Sequence, residues 1–470
     1  MNNKTAYVIL ICLTLFCCAQ SSFAADTTKI YLTLEQCREM ALENNADIKN
    51  AELDLQAAKA QRQEALAEYF PTVSANAFGF HALDPMIEIG VKDILGNTAF
   101  SNNLNHIVEQ LAPQLGISPT YTTMQHGYMA SVSLLQPVFA GGRIVNGNRL
   151  AALGVDAAST KKNIVRRTTT EEVEKNYWQI VSLEEKLSTL GSLSAMLDTL
   201  QRDVSSACAA GLATESDLLQ VELKRNELKS GRLQIENGIR LAKMNMLNSI
   251  GMAYTPYPQD NTDSIPCIDD IVLSDTIGGL NPPMAYYMDE ADVAVAQDET
   301  RLLDLSVSAK KIERNMVIGE ALPEIGIGAA YGYSNFLDRD NLNGAVYVSV
   351  KVPISDWGKK ARKIQRYDSQ IRKAENEKEY LSSQIELQIR QLWFNLETSW
   401  QQLQVSRESI TTAEASVRKL AAHYRAGLVP LSELLEAQTQ LQQCTDNYTD
   451  QCIAYRTVLR AYLDRTGGDM

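Results

Sequence analysis

Ala210-Gly211-Leu212 … Asp217-Leu218-Leu219 recurs 216 positions later as Ala426-Gly427-Leu428 … Glu433-Leu434-Leu435. Gly142 and Gly358, Gly251 and Gly467, and Pro137 and Pro353 keep the same offset. A register held over so long a stretch without a gap is that of two copies of one structural unit. Each copy orders its elements alike: helix, alternating strand, loop, alternating strand, very long helix, glycine-containing turn, returning helix.

Almost nothing interrupts a helix on either side of these turns. Some 65 residues at about 1.5 Å each predict helices of roughly 100 Å over 143–209 and 359–425. Gly154 and Gly191 are weak points rather than ends. The returning helices run to about 250 and 465. A helix is predicted over 33–69, with Thr33 as its cap and Phe70-Pro71 as its end. Another spans 285–320 and stops before Pro323. Residues 252–284, rich in Pro, Asp and Gly, read as a linker between a first repeat, 25–251, and a second, 285–470.

Four segments alternate with period two, at about 71–80, 129–137, 323–334 and 345–354. Ile325, Ile327, Ala329, Tyr331 and Tyr333 oppose Glu324, Gly326, Gly328, Ala330 and Gly332. Val346, Val348, Val350 and Val352 oppose Tyr347, Ser349 and Lys351. One apolar face, small or polar residues opposite and tyrosines near the ends make the pattern of a transmembrane β-strand. Pro71 and Pro137 lie 66 positions apart, whereas Pro323 and Pro353 lie 30 apart. The first copy therefore carries 36 extra residues, within about 82–126, which are expected on the extracellular side.

The first 24 residues read as a secretory signal: Lys4, an apolar run from Tyr7 to Cys18, then Ser22-Phe23-Ala24. A lipid anchor through Leu15-Phe16-Cys17-Cys18 is opposed by bulky Phe16. Beyond that segment no run of 18 apolar residues occurs, so a membrane-embedded part is expected to be β-structure. The net charge of −13 disfavours nucleic acid as a partner. Cys37, Cys208, Cys267, Cys444 and Cys452 are an odd, scattered set rather than a disulfide framework. His81, His106, His126 and His423 lack metal-ligand spacing, and Gly326-Ile327-Gly328 falls within a strand instead of opening a helix. No catalytic residue, resident metal or cofactor is expected, and the chain is not read as an enzyme.

Four strands cannot close a barrel, and an open sheet edge is not tolerated in lipid. Several chains must contribute, and three would supply twelve strands. Helices of such length have no globular domain to rest on and must pack on each other. The expected fold is therefore mainly α with transmembrane β: a trimeric 12-stranded β-barrel continued by a long α-helical barrel. A periplasmic coiled-coil scaffold or adaptor without a pore is the alternative. It explains the helices and leaves the duplicated strand pairs unexplained.

The ordered set of motifs resembles the TolC-type outer-membrane efflux protein family over nearly the whole mature chain. Its signals include Leu34-Glu35-Gln36, Gln136-Pro137-Val138-Phe139-Ala140-Gly141-Gly142-Arg143, Ala210-Gly211-Leu212 and Tyr424-Arg425-Ala426-Gly427-Leu428. The resemblance implies a homotrimer in the outer membrane of a Gram-negative bacterium, with a large periplasmic domain. It implies a passive duct for a tripartite efflux or type I export pump, served by a periplasmic adaptor (membrane fusion) protein and an inner-membrane RND, ABC or MFS transporter. It places a periplasmic gate at Glu433 and Glu436. Helical spacing independently puts these two acids on one face, away from Leu431, Leu434 and Leu435. Across three chains they would form two acidic rings, favouring cations and able to hold a divalent ion. Tyr424 and Asp217 match two gate-constraint positions of the family, whereas Cys208 and Val429 depart from its pattern. Gly211, Leu212, Gly427 and Leu428 match its adaptor-contacting tip turns.

Overall fold

The computed structural model describes residues 29–118, 120–211, 213–257, 265–335 and 340–467. The signal segment and Leu212 lie outside the described residues. The chain is mostly helical with a β component, and it divides into two compact units. One contains the residues up to Glu52, Lys162–Gln297 and the residues from Gln384 on; the other contains Leu53–Lys161 and Asp298–Ser383.

In chain order the elements are β1 (Ile30–Leu32), α1 (Leu34–Asn44), α2 (Ala46–Ala67), β2 (Thr72–His81), β3 (Ile87–Ile89), α3 (Val91–Leu95), α4 (Ala99–Leu111), β4 (Tyr121–Thr123), β5 (His126–Ala140), α5 (Arg143–Ala209) and α6 (Glu215–Ser249). They continue as β6 (Ile271–Leu273), α7 (Glu290–Ala296), α8 (Asp298–Gly319), β7 (Glu324–Asn335), β8 (Asp340–Lys351), α9 (Lys359–Arg425) and α10 (Leu431–Thr466). The helices α5 and α9 each run unbroken for 67 residues.

The second unit is organised by an antiparallel sheet in the order β2-β5-β7-β8. Its registers sort the side chains. One face carries Val73, Ala75, Leu134, Val132, Ile327, Val346 and Val348; the other carries Ser74, Asn76, Ser131, Ser133, Gly332 and Asn343. Ser74 and Ser133 hydrogen-bond across β2 and β5 at 2.9 Å on the polar face. Neither β2 nor β8 has a partner on its outer edge among the described residues, and every residue of β8 is exposed. Pro137, which cannot donate to a ladder, sits at a register shift in β5.

Below the sheet, Gly141 packs against the end of α8. A Cβ on Gly319 would overlap the Gly141 carbonyl oxygen, and a Cβ on Gly141 would overlap that of Gly319. α8 and α9 are laced by ion pairs that run antiparallel: Asp304–Lys378 at 2.5 Å, Lys311–Glu375 at 2.9 Å, Arg314–Asp368 at 2.5 Å and Glu320–Lys363 at 2.6 Å. These side chains are roughly half exposed, so each pair contributes at most about 1 kcal/mol.

In the first unit, β1 pairs in parallel with β6 and joins the start of the chain to the segment read as a linker. Asp275 accepts from the Leu34 N–H and the Tyr177 hydroxyl, both at 2.8 Å, which fixes the start of α1. The core beneath comprises Cys37, Tyr177, Trp178, Ile180, Met246 and Ile271 among others. Burial, with the Asp275 charge, pushes the Cys37 thiol up to about 12, so it is a packing group. All five cysteines of the described residues are free. Glu174 is buried and ion-paired with Arg38, with Arg460 at 3.6 Å; Arg456 lies 4.2 Å over the Trp178 ring. Lys243, also buried, donates to the Ile271 carbonyl at 2.6 Å and pairs with Glu184 at 3.0 Å.

Two predicted helices are in fact broken. The 33–69 segment divides at Asn45, whose backbone is extended. Its Oδ1 accepts from the Asp47 N–H at 2.8 Å and its Nδ2 donates to the Ser249 carbonyl at 2.9 Å. The 285–320 segment divides at Gln297, whose Nε2 donates to the Arg465 carbonyl at 2.6 Å. Helix propensity is silent on both breaks because tertiary hydrogen bonds make them. β5 begins at His126 rather than about 129, and the segment at 82–126 is structured instead of a plain loop. The linker supplies β6.

The repeat-marking glycines share one conformation. Gly142 and Gly358 have φ of 74° and 79°, Gly211 and Gly427 both 70°, Gly251 and Gly467 69° and 72°. Only glycine takes this left-handed region without strain, so the residue type is fixed by the turn.

Gly319 has no left-handed φ, so Gly319→Ala isolates the overlap with Gly141. We expect it to cost about 1–3 kcal/mol, read as a lowered melting temperature, while Gly154→Ala, where a Cβ meets nothing within 4 Å, does not destabilise. Burial raises the carboxyls of Glu171 and Asp464 above the ordinary carboxylate range, against the pull of Arg167 and Arg460. A raised folded-state pKa gives stability that is present below the unfolded value and lost as pH rises through the folded one. The melting temperature is therefore expected to fall across that window, and less steeply in Glu171→Gln.

Candidate functional site

Four helices meet where α5 turns into α6 and α9 turns into α10. Leu197, Val204, Val221, Leu431, Leu434 and Leu435 form the buried centre of this tip, with Tyr424 and Leu218 packed against it. The apolar stripe of α10 fixes its rotation. With Leu431, Leu434 and Leu435 inward, Glu433 and Glu436 are both exposed on the opposite face. The two acids predicted to work together are therefore on one side of one helix.

The turns themselves are helix C-caps. The Leu428 N–H donates to the His423 carbonyl and the Gly427 N–H to the Tyr424 carbonyl, both at 2.9 Å. This double bond pattern is what a left-handed glycine after a helix provides. Gly211 donates likewise to the Cys208 carbonyl at 3.0 Å. Gly211, Gly427 and Leu428 are exposed, Leu428 at 70%.

The helices that follow start differently. Asp217 and Glu433 are both the third residue of their helix. In α6, Thr214 and Asp217 form a capping box: the Thr214 N–H donates to Asp217 Oδ2 at 2.9 Å, and the Asp217 N–H donates to Thr214 Oγ1 at 3.2 Å. At the matching place α10 has Pro430, with no side-chain cap. Proline offers neither a hydroxyl nor an N–H, so Glu433 has nothing to reach back to. The same helical position holds a spent carboxylate in one turn and an exposed, uncapping one in the other.

Tyr424 is half-buried. Burial, then the charges of Asp217 and Asp203, raises its hydroxyl above the ordinary tyrosine value. No hydrogen bond joins Tyr424 to Asp217 among the described residues; Asp217 is occupied by Thr214, and the Cys208 thiol donates to the Thr214 carbonyl at 3.1 Å. Asp203 and Arg225 were missed by sequence reading. Arg225 ties α6 to α5 through Asp198 at 2.8 Å and Gln201 at 2.5 Å. Its i, i+24 and i, i+27 partners cross a helical hairpin, and such pairs become legible only once the turn at 211 is taken as the hairpin apex. No group of three or more His, Cys, Asp or Glu that could hold a metal occurs among the described residues.

The family model described as "Outer membrane efflux protein" matches residues 37–237 and 314–455. The fold is similar to that of a membrane protein from Pseudomonas aeruginosa, 15% identical with a TM-score of 0.72 over 92% of this chain and 93% of that one. It is similar to CusC, 14% identical with a TM-score of 0.71 over 96% of both chains. It is also similar to VceC of Vibrio cholerae, 14% identical with a TM-score of 0.68 over 93% and 96%. No curated protein matches the chain by sequence. The chain belongs to the outer membrane efflux protein family. It is an outer-membrane channel of tripartite efflux systems, with a large periplasmic part, in a family of transport channels.

Removing the cap with Thr214→Ala is expected to cost about 1 kcal/mol locally, read as faster amide exchange at the start of α6. Pro430→Thr should build a capping box with Glu433 and slow exchange in the first turn of α10.

Proposed function

We propose that the channel is a homotrimer in which three four-stranded sheets close a 12-stranded barrel in the outer membrane, continued by a helical barrel in the periplasm. The observation that carries this reading is the sheet β2-β5-β7-β8, apolar on one face and, among the described residues, unpaired on both outer edges. In hydrocarbon each unpaired backbone group costs several kcal/mol. A β8 edge finds its partner in the β2 edge of a neighbour. The apolar face then meets lipid and the face with Ser131, Ser133 and Asn343 lines the lumen.

We read the two halves as copies of one unit. Support comes from the shared left-handed glycines and from the paired tethers, Asn45 to the Ser249 carbonyl and Gln297 to the Arg465 carbonyl. Ser249 and Arg465 lie 216 positions apart, the offset of the glycines. Residues 25–251 and 285–470 are the two copies and 252–284 the equatorial linker. Conduction is passive, and no catalysis is assigned to the chain. The tip turns at Gly211, Leu212, Gly427 and Leu428 are the adaptor contacts. The energy comes from an inner-membrane RND, ABC or MFS transporter.

We place the periplasmic gate at Glu433 and Glu436. Two exposed acids on one face of α10 give two rings of three in a trimer. Such rings attract cations and repel one another, so closure and anion entry are costly, and a divalent ion held between the rings would offset the repulsion and favour closure. Tyr424 and Asp217 brace the gate through packing and through the α6 cap. A pore-free scaffold has no use for a sheet with one apolar face and two open edges.

The test is single-channel conductance of the purified protein in a planar bilayer, wild type beside Glu433→Gln/Glu436→Gln. A cation-selective conductance that loses selectivity in the double variant is expected. Unchanged selectivity would remove the gate assignment and leave the channel.

A further inference from the structure

The insertion between β2 and β5 folds into a small unit whose polarity is reversed. β3 pairs with β4, and Thr98 caps α4 through a capping box with Ser101. Its buried residues are small: Ser101 at 0%, Ala112 at 2% and Thr123 at 3%. Its large apolar side chains lie outside: Leu83 at 94%, Ile94 at 73%, Leu115 at 69% and Ile117 at 61%. On α4, Phe100, Leu104, Ile107 and Leu111 share one helical stripe. Of these, Phe100 is 68%, Ile107 52% and Leu111 49% exposed. Apolar surface gathered in this way belongs against a partner.

Three observations select the partner. From Ile94 to Gln125 the only formal charge is Glu109. A surface resting on anionic lipid headgroups would carry several Lys or Arg, whereas the insertion has one, Lys92, against the acids Asp84, Glu88, Asp93 and Glu109. The unit is also fixed to the sheet end, since the Ala82 N–H donates to the Gln125 carbonyl at 2.7 Å and continues the β2–β5 ladder. It thus emerges from β2, the strand whose free edge a neighbouring copy covers in the proposed trimer. Finally, the other connection at this end, from Asn335 to Asp340, has four intervening residues. The insertion, by 36 residues the longer connection, is therefore the larger surface that a neighbour offers there.

We infer that the apolar stripe of α4 packs against the insertions of the other copies and closes the barrel mouth. This is a second constriction, separate from the acidic tip. It rests on the trimer reading.

The test uses the full-length protein in native outer membrane, with Ile107→Cys and, as a second site, Leu111→Cys. The native cysteines are buried or half-buried, so wild type is the control. A bis-maleimide is expected to join two I107C copies into a dimer-sized species on a denaturing gel, because each copy offers one thiol and each linker takes two. Phe100→Ser/Ile107→Ser is expected to raise single-channel conductance several-fold. A trimer by native sizing without cross-linking at either site would overturn the contact and leave the trimer standing. So would a fluorophore at position 107 quenched by brominated lipid, which would give the stripe to the bilayer. Cross-linking with unchanged conductance in the serine variant would overturn the closure. Absence of any trimer by native sizing would sink the trimer reading itself, together with this inference.

Discussion

A β-strand edge in hydrocarbon is the constraint from which the rest follows. β2 and β8 each leave a row of backbone donors and acceptors without partners among the described residues. Water could satisfy them, but the apolar face of the same strands, with Val346, Val348 and Val350, excludes a watery setting on that side. Lipid satisfies neither row. A sheet of this kind is stable only when its two edges meet complementary edges, and the simplest supply is more copies of itself. The proposed oligomer would thus follow from hydrogen-bond accounting, and in it the polar face, with its serines and glycines, would line a space.

The helices answer a different demand. α5 and α9 each run for 67 residues, and in proteins most helical stability comes from tertiary packing rather than from propensity. What fixes them is local. At the sheet, Gly141 and Gly319 let backbone lie on backbone. Along α8 and α9, a row of ion pairs keeps the register. At the tip, an apolar centre of leucines and valines joins four helices. In the first unit, buried Glu174 is paired with the part-exposed Arg38 and Arg460, and removing both arginines would strand its charge.

Much of this was legible, for identifiable reasons. The turns at 211 and 427 were readable because a left-handed backbone admits few residues besides glycine. The strands were readable because their residues alternate between an apolar face and a more polar one. The α10 face was readable because Leu431, Leu434 and Leu435 leave one orientation for Glu433 and Glu436. The breaks at Asn45 and Gln297 were not, since each depends on a carbonyl some 200 or 170 residues away in sequence. The β1–β6 pairing was hidden for the same reason, in a segment whose Pro and Asp content reads as linker. Nor was the insertion's inner structure legible: its buried residues are Ser101, Ala112 and Thr123, so burial there does not follow hydrophobicity.

The two tips show how one fold can be made asymmetric by a single residue. Thr214 and Pro430 occupy matching places, each just before a helix whose third residue is acidic. Threonine takes the acid into a capping box, which neutralises part of the helix start and holds the turn. Proline, lacking both the hydroxyl and the N–H, leaves the acid pointing to solvent. The difference in capping is about 1 kcal/mol, small beside the packing of the tip but directed at one turn. Of the two hairpins, the one ending in Gly427 is therefore cheaper to unwind and carries the free carboxylates. The gate proposed at this tip would need both properties together, and a proline in place of threonine supplies them in one step.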